Sequence, residues 1–323
     1  VDRFTVGVEL ADLRGLAARL RSSGAVAGID IEDTRQPVLG YLASEGFAIY
    51  PVNPKMSANW RQGASVAASK NDARDGLVLA LELSRRHESL RVFSRPKPEV
   101  AELCGLCKQL RALIDQRTAL LQRLKAMLKQ YFPGVLRFFS DWGSPAAWRF
   151  LKRFSNPATL ARVQKSTLIA FLKKNRIGMR PMWLERIERR GEAAQWPAPP
   201  DSVALEAMAL ATIAQLQALQ PHIDKLDRLI AERVKTLPHA ALVRSLPGAG
   251  DRLAPALTAI AAHMRGEDAE DLETIRCMVG VAPVEDASGK RRRTQMRRRC
   301  NKHWRNTLHL YAGCTLAHCA WAK

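Results

Sequence analysis

Two long runs of apolar residues constrain the fold of this 323-residue chain more than any other feature. Apolar side chains recur every three or four residues from the end of a Pro-rich linker at residue 98 to about Tyr131, and again over Ser202–Lys235. An amphipathic helix of that length buries its apolar face against a partner. The two helices flank an insert, which predicts either an antiparallel pair within the chain or a coiled coil between protomers.

Residues 1–94 show a different pattern, in which short apolar strands alternate with helices. Helices are predicted at Leu10–Arg21, Gln36–Ser44 and Lys70–Arg85, and strands at Val26–Ile31, Phe47–Val52 and Leu90–Phe93. This alternation predicts a mostly parallel sheet covered by helices. Glu32 directly follows the first strand, at the carboxyl edge where such sheets gather their chemistry.

Three carboxylates in this part of the chain are candidate metal ligands. Asp72 and Asp75 lie three residues apart near the start of a predicted helix and therefore share a face. Together with Glu32 they suit Mg²⁺, which prefers oxygen ligands. Acidic residues in a first helical turn also complement the helix dipole without any ligand. The spacing alone leaves both interpretations open.

Positive charge is concentrated in the later part of the chain. The net charge is +20, yet residues 1–92 carry 12 Lys/Arg against 11 Asp/Glu. Such a field predicts a polyanionic partner. The densest run follows Ser288 and Gly289 and comprises Lys290, Arg291, Arg292, Arg293, Arg297, Arg298, Arg299, Lys302 and Arg305.

Ser288 stands at the head of this run, on a predicted flexible turn. Guanidinium groups bind phosphate oxygens two at a time and stay protonated. A hydroxyl among them suits attack on a phosphodiester. The other interpretation is a solvated basic loop that only holds nucleic acid.

A Gly-rich turn, Ser245-Leu-Pro-Gly-Ala-Gly250, precedes a predicted helix at Arg252–His263. It resembles a helix-hairpin-helix turn, in which Gly248 and Gly250 would bring backbone N–H groups to a DNA phosphate. An ordinary Gly-rich connection between helices explains the pattern equally well.

The remaining composition gives expectations about location. No run of 18 or more apolar residues and no signal peptide is visible, so no membrane span is expected. Six cysteines in a chain of this length do not make a disulfide framework. We therefore expect a protein in a reducing, cytoplasmic setting.

Several short motifs in fixed order resemble the transposases of IS110-type insertion sequences and their IS1111 relatives. They are Ile31-Glu32, Tyr50-Pro-Val-Asn-Pro54, Lys70-Asn-Asp-Ala-Arg-Asp-Gly76, Gln130-Tyr-Phe-Pro-Gly134, Leu242-Val-Arg-Ser-Leu-Pro-Gly-Ala-Gly250, Gly280-Val-Ala-Pro283, Ser288-Gly-Lys290 and Arg299-Cys-Asn-Lys302. The resemblance covers nearly the whole chain. It implies a RuvC-like (RNase H-like) α/β domain of DEDD type at 1–94, a helical coiled-coil region with an insert at 95–236, and a mainly helical, serine-bearing transposase domain at 237–323.

The resemblance also implies a chemistry, the breakage and rejoining of DNA strands. Glu32, Asp72 and Asp75 match the family's second, third and fourth carboxylates, which bind Mg²⁺, and Ser288 matches its nucleophile. A structured guide RNA from the same element is implied as a partner. So is a homo-oligomer, a dimer or tetramer, in which serine and carboxylates can come from different protomers.

Two departures from the family pattern bear on activity. The family's first carboxylate, an Asp on the first strand, has no counterpart before Glu32, and the chain stops inside a helix at Trp321-Ala-Lys323. We therefore expect a copy truncated at both ends. Three functions stay open on this basis: a transposase, an inactive remnant that binds DNA or RNA, and a RuvC-like metal nuclease that needs no serine.

Overall fold

The computed structural model describes residues 5–7, 9–23, 27–30, 36–64, 72–90, 92–93, 96–178, 181–195, 197–266, 272–289, 291–298 and 300–323. The chain forms two compact units, residues 1–97 with 265–269, and residues 98–264 with 270–323. The predicted boundary between residues 236 and 237 falls inside the second unit and stays a prediction.

The first unit has a parallel pair of short strands with helices around it. Its elements are α1 (Leu10–Ser23), β1 (Ala27–Asp30), α2 (Pro37–Ser44), β2 (Ile49–Val52), α3 (Pro54–Ala64) and α4 (Asp72–Arg86). The strands pair in register from Ala27 with Ile49 to Asp30 with Val52. Ala17 of α1, Leu42 of α2 and Ile49 form its buried cluster. The alternation of strands and helices agrees with the predicted α/β class, whereas Glu32 lies outside the described residues.

One local prediction for this unit was wrong, and one helix was missed. The segment predicted as a third strand at Leu90–Phe93 has no strand among its described residues, and only the Phe93 N–H donates to the Ile49 carbonyl, at 2.7 Å. Helix α3 was not predicted. It starts at Pro54, where a missing N–H costs nothing, and the Asn53 side chain accepts a bond from the Lys55 N–H at 2.9 Å.

The second unit is built on two long helices, α5 (Pro98–Tyr131) and α10 (Ser202–Val234), which pack along each other. Between them lie α6 (Pro145–Arg153), α7 (Pro157–Arg162), α8 (Lys165–Lys174) and α9 (Pro181–Glu188). After them come α11 (Ala240–Arg244), α12 (Leu253–Gly266), α13 (Leu272–Val279), β3 (Val284–Ser288), β4 (Arg291–Gln295) and α14 (Lys302–His318). The pairing of α5 with α10 within one chain is the first of the two predicted arrangements.

The antiparallel direction of the pair follows from two hydrophobic clusters. One joins the C-terminal part of α5, the insert helices and the N-terminal half of α10. The other joins Leu103 and Leu110 of α5 to Ile223 and Ile230 of α10 and to Ala259 of α12. The beginning of α5 therefore packs on the end of α10, and the end of α5 packs on the beginning of α10.

The tryptophans of the insert belong to the first cluster. Trp142, Trp148 and Trp183 are buried, and the Trp148 indole N–H donates to the Trp142 carbonyl at 2.7 Å. Their rings are therefore part of the core and are not available to stack on bases. Trp196 lies outside the described residues.

Helix α10 is long and apolar enough to cross a membrane by length and composition. In the structure it has protein partners along its length. Ala209, Ile213 and Leu216 pack into the first cluster, and Glu206 accepts bonds from the Asn156 amide at 3.1 and 3.2 Å. These contacts bury one face of α10 within the helical bundle.

Candidate functional site

The basic run after Ser288 forms part of a β-hairpin, where the sequence predicted a flexible turn. Strands β3 and β4 are antiparallel, and their register runs from Val284 opposite Gln295 to Ser288 opposite Arg291. Two residues connect the strands, and the first of them, Gly289, has φ +56°, which glycine adopts without strain. All five residues of β4 are exposed.

The register distributes the arginines over both faces of the hairpin. Side chains alternate along a strand, so Arg291 and Arg293 lie on one face, and Arg292 and Thr294 on the other. Arg293 is directly opposite Asp286, yet no salt bridge joins them. No carboxylate among the described residues lies within salt-bridge distance of the three arginines. Their charges are therefore available to an external anion.

The segment after β4 is anchored to its own unit. The Arg297 Nε donates to the Ala282 carbonyl at 3.3 Å, and the Arg305 Nη1 donates to the Arg297 carbonyl at 3.1 Å. Asn301 caps α14, because its side-chain oxygen accepts from the backbone N–H groups of His303 and Trp304. Arg297 and Arg305 thus have partners that hold the base of the hairpin.

The structure describes only some of the other predicted phosphate ligands of this segment. Arg298 and Lys302 are exposed. Lys290 and Arg299 lie outside the described residues. For Ser288 only the backbone is described.

The Gly-rich turn lies between α11 and α12 and packs against α14. Gly248 has φ +82°, and a β-carbon there would stand 2.9 Å from the carbonyl carbon of Cys314. Gly250 is exposed, and nothing lies within 4 Å of the place where its β-carbon would be. The packing on α14 is a sufficient reason for glycine at 248, while the DNA contact predicted for Gly248 and Gly250 stays a prediction.

The two described carboxylates of the predicted metal site lie in the first turn of α4. Asp72 is exposed, whereas Asp75 is half-buried and its Oδ2 accepts a bond from the Arg61 Nη1 at 2.6 Å. The other oxygen, Asp75 Oδ1, is buried and has no hydrogen-bond partner among the described residues. Among the residues that the structure describes, no group of three or more His, Cys, Asp or Glu side chains is arranged to hold a metal ion.

Arg61 is a residue of this site that the sequence analysis missed. It is on α3, 14 positions before Asp75, in a segment that carried no recognised helical signal. Only the packing of α3 on α4 brings the guanidinium group to the carboxylate.

Models of two transposase domains match the chain. A model of the DEDD transposase domain of the IS110 type matches residues 1–133, and a model described as "Transposase IS116/IS110/IS902 family" matches residues 240–323. The first covers the carboxylate pair, and the second covers the basic hairpin with Ser288. The chain belongs to the IS110 family of insertion-sequence transposases.

Individual relatives agree with this assignment. The IS117 mini-circle protein of Streptomyces coelicolor, which carries the name of a transposase, is 27% identical over 88% of this chain and 69% of its own length. A 44.8 kDa protein of insertion element IS116 from Streptomyces clavuligerus is 26% identical over 79% of this chain and 62% of its own length. A Sinorhizobium fredii protein, also named as a transposase, is 30% identical over 49% of this chain and 45% of its own length. The chain thus spans about half to two-thirds of the curated relatives it matches.

Proposed function

We propose that this chain breaks and rejoins DNA strands as a transposase, with Ser288 as the nucleophile. The observation that carries the proposal is the register of the basic hairpin. Ser288 ends β3 as the partner of Arg291, on a ribbon whose second strand is exposed over its whole length. A phosphodiester lying along β4 would meet guanidinium groups beside the serine.

The reaction at Ser288 is a transfer of a phosphoryl group. The serine Oγ forms a bond to phosphorus while the bond from phosphorus to the DNA 3′-oxygen breaks, and the hydroxyl proton ends on that 3′-oxygen. The products are a phosphoserine joined to one DNA end and a free 3′-hydroxyl on the other. Attack on the phosphoserine by a different 3′-hydroxyl reverses these steps and joins new ends.

The arginines of the hairpin bind and orient the transferring group. Arg291 and Arg293, two residues apart on one face of β4, can each give two parallel N–H bonds to non-bridging oxygens. They stay protonated at any physiological pH, so they stabilise the negative charge throughout the transfer.

The carboxylates of the first unit would hold Mg²⁺ in a RuvC-like domain. Asp75 Oδ1 fits this role, because it is a buried carboxylate oxygen with no partner among the described residues. Arg61 binds the other oxygen and so fixes the orientation of the carboxylate. Asp72 lies one turn earlier on the same face, and Glu32 completes the set by its match to the family pattern. A bound Mg²⁺ supplies positive charge for the phosphoryl oxygens.

The family resemblance supports the remaining partners. A structured RNA from the same element would choose the DNA sites, and a homo-oligomer would bring serine and carboxylates together from different protomers. The Gly-rich turn with Gly250, and the exposed Arg298 and Lys302, would extend the phosphate contacts beyond the hairpin.

The test of this function is a search for covalent protein–DNA adducts on denaturing gels. The protein is expressed from its complete open reading frame and incubated with Mg²⁺ and supercoiled DNA that carries the element's ends. Ser288→Ala should abolish the adducts while DNA binding is kept. The matched control is Thr294→Ala, which removes another hydroxyl from the same hairpin and should leave the adducts unchanged.

Other outcomes would overturn the assignment. Adducts at the wild-type level in Ser288→Ala would exclude the serine as nucleophile. Strand cleavage without any adduct would favour a metal nuclease. DNA binding by the wild-type protein with neither cleavage nor adduct would favour the inactive binding protein.

A further inference from the structure

A second concentration of positive charge lies in the insert between the two long helices. Residues 145–190, here called the basic insert, contain twelve Lys/Arg and two Asp/Glu, which is half of the net charge of +20. The segment lies between the family-model matches at residues 1–133 and 240–323. Neither the serine nor the carboxylate site accounts for it.

Helix dipoles explain only part of this charge. Basic residues do occur in the last turns of α6, α7 and α8, where they complement the partial negative charge of a helix C-terminus. The same effect favours acidic residues in first turns, and these three helices have none there. Because no acidic first turn balances the basic last turns, the charge on these three helices is of one sign, as expected for a surface that meets a polyanion.

Two groups of these basic side chains differ in their partners. Lys165 pairs with Glu188, and Arg189 pairs with Glu185 and Glu192. The second group is exposed and has no salt bridge to a carboxylate among the described residues: Arg149, Arg153, Arg162, Lys173, Lys174 and Arg176. This second group is available to an external anion.

Packing fixes the helices that carry most of the second group. The Phe171 ring of α8 lies 5.6 Å from the Phe150 ring and 5.8 Å from the Phe154 ring, both edge to face. The Arg153 guanidinium lies over the Phe154 ring at 5.5 Å. The end of α6 and the end of α8, which carries Lys173 and Lys174, are thus held on one aromatic core and do not need to be ordered by a ligand.

The same core determines the kind of recognition. The insert's described tryptophans and the phenylalanines at 150, 154 and 171 are buried, so no exposed aromatic ring accompanies the charges there. A surface of Lys and Arg without stacking rings binds phosphates and does not read bases. We propose that the basic insert is a second nucleic-acid-binding surface, which holds a phosphodiester backbone independently of the basic hairpin.

The test compares two variants of the whole protein with the same change in charge. The first is Arg149→Ala, Arg153→Ala, Lys173→Ala and Lys174→Ala. The control is Arg111→Ala, Lys165→Ala, Arg189→Ala and Arg233→Ala, which removes four cations that already have carboxylate partners. Each is titrated at several salt concentrations with duplex DNA, single-stranded DNA and an RNA hairpin of similar length.

Each phosphate contact changes the slope of log K against log salt by about 0.9 on duplex DNA and about 0.7 on single strands. If all four side chains contact phosphate, the first variant should therefore show a slope shallower by about three to three and a half, and the control should keep the wild-type slope. The probe with the largest change identifies the partner as DNA or RNA. Double variants of α6 alone and of α8 alone should each give part of the change.

Two results would overturn the proposal. One is a slope equal to the control's with all three probes, in variants whose melting temperatures match the wild type. The other is a loss of binding to polyglutamate, titrated as a fourth probe, with no loss for any of the nucleic acids, which would assign the surface to an acidic protein. Neither result bears on the role of Ser288, because the adduct assay tests a residue in a different part of the chain.

Discussion

The α-carbon of Gly248 faces the main chain of Cys314, so that a β-carbon at position 248 would lie 2.9 Å from the Cys314 carbonyl carbon and 3.0 Å from the Thr315 nitrogen. Main-chain atoms of a helix cannot rotate away as a side chain can. The turn between α11 and α12 is therefore fixed on α14, together with the small cluster around Ala249, Ala254 and Leu257.

Gly248→Ala should destabilise the protein by about 2 kcal/mol or more, from the positive φ and the contact with α14 together. The measurement is the midpoint of chemical unfolding. Gly313→Ala is the matched control, since nothing lies within 4 Å of its β-carbon position and alanine is favoured inside a helix by about 1 kcal/mol. Equal midpoints for the two variants would contradict the close packing of the turn.

The basic hairpin should contribute phosphate contacts that salt can measure. Replacing Arg291, Arg292 and Arg293 with Ala should make the slope of log K against log salt shallower by roughly two to three units on duplex DNA. The loss should be similar for unrelated sequences, because phosphate contacts carry no base information. The control is Arg111→Ala, Arg189→Ala and Arg233→Ala, and an identical slope in both triple variants would mean that β4 faces only solvent.

Mg²⁺ should raise the melting temperature by relieving the repulsion between converging carboxylates. Asp75→Asn should reduce that rise, since it removes charge from the Oδ1 that has no other described partner. Asp115→Asn, which alters a surface carboxylate paired with Arg111, serves as the control. A full Mg²⁺ effect in Asp75→Asn would show that the ion binds elsewhere.

His303 should make folding sensitive to mild acid. Burial lowers the pKa of this imidazole below its ordinary 6.5, and the positive charges of Lys108 and Arg111 lower it further, against the opposing effect of Asp115. Between the lowered and the ordinary pKa the unfolded chain binds more protons than the folded one, so stability falls as pH drops through that window.

His303→Gln should therefore lose less stability than the wild type when the pH is lowered from about 7.5 to 5. Unfolding midpoints at several pH values provide the measurement, and His309→Gln, at an exposed position on the same helix, is the control. The Lys108→Ala variant should raise the His303 pKa, which its NMR titration would report. Parallel pH profiles for the two histidine variants would contradict this role.

The sequence predicted most of the helices, because their apolar residues recur with the helical period. It predicted the C-terminal end of α10 to within one residue. The hairpin could not be recognised in this way, since all of β4 and most of β3 are exposed. A strand without a buried face has no alternation of apolar and polar residues to detect. The Ser-Gly pair at its turn was the only signal.

The candidate site was predicted unevenly for a similar reason. Asp72 and Asp75 could be assigned to one helical face because that relation is local. The Arg61–Asp75 bond and the contact of Gly248 with α14 depend on how separate segments pack, and no spacing within the sequence encodes them. Arg297 was predicted to bind nucleic acid as part of the basic run, but its side chain donates to the Ala282 carbonyl and its own carbonyl accepts from Arg305.

The basic hairpin has only two strands, so each strand has an edge with no neighbour in the described chain. Unpaired edges of this kind invite the ribbon of another copy to add as a further strand, and charged side chains are the usual protection. The like charges of Arg291, Arg292 and Arg293 repel an identical ribbon until an anion neutralises them. We therefore expect the same three side chains to keep the free protein from aggregating through β4, and light scattering of the triple variant at low salt would register their loss.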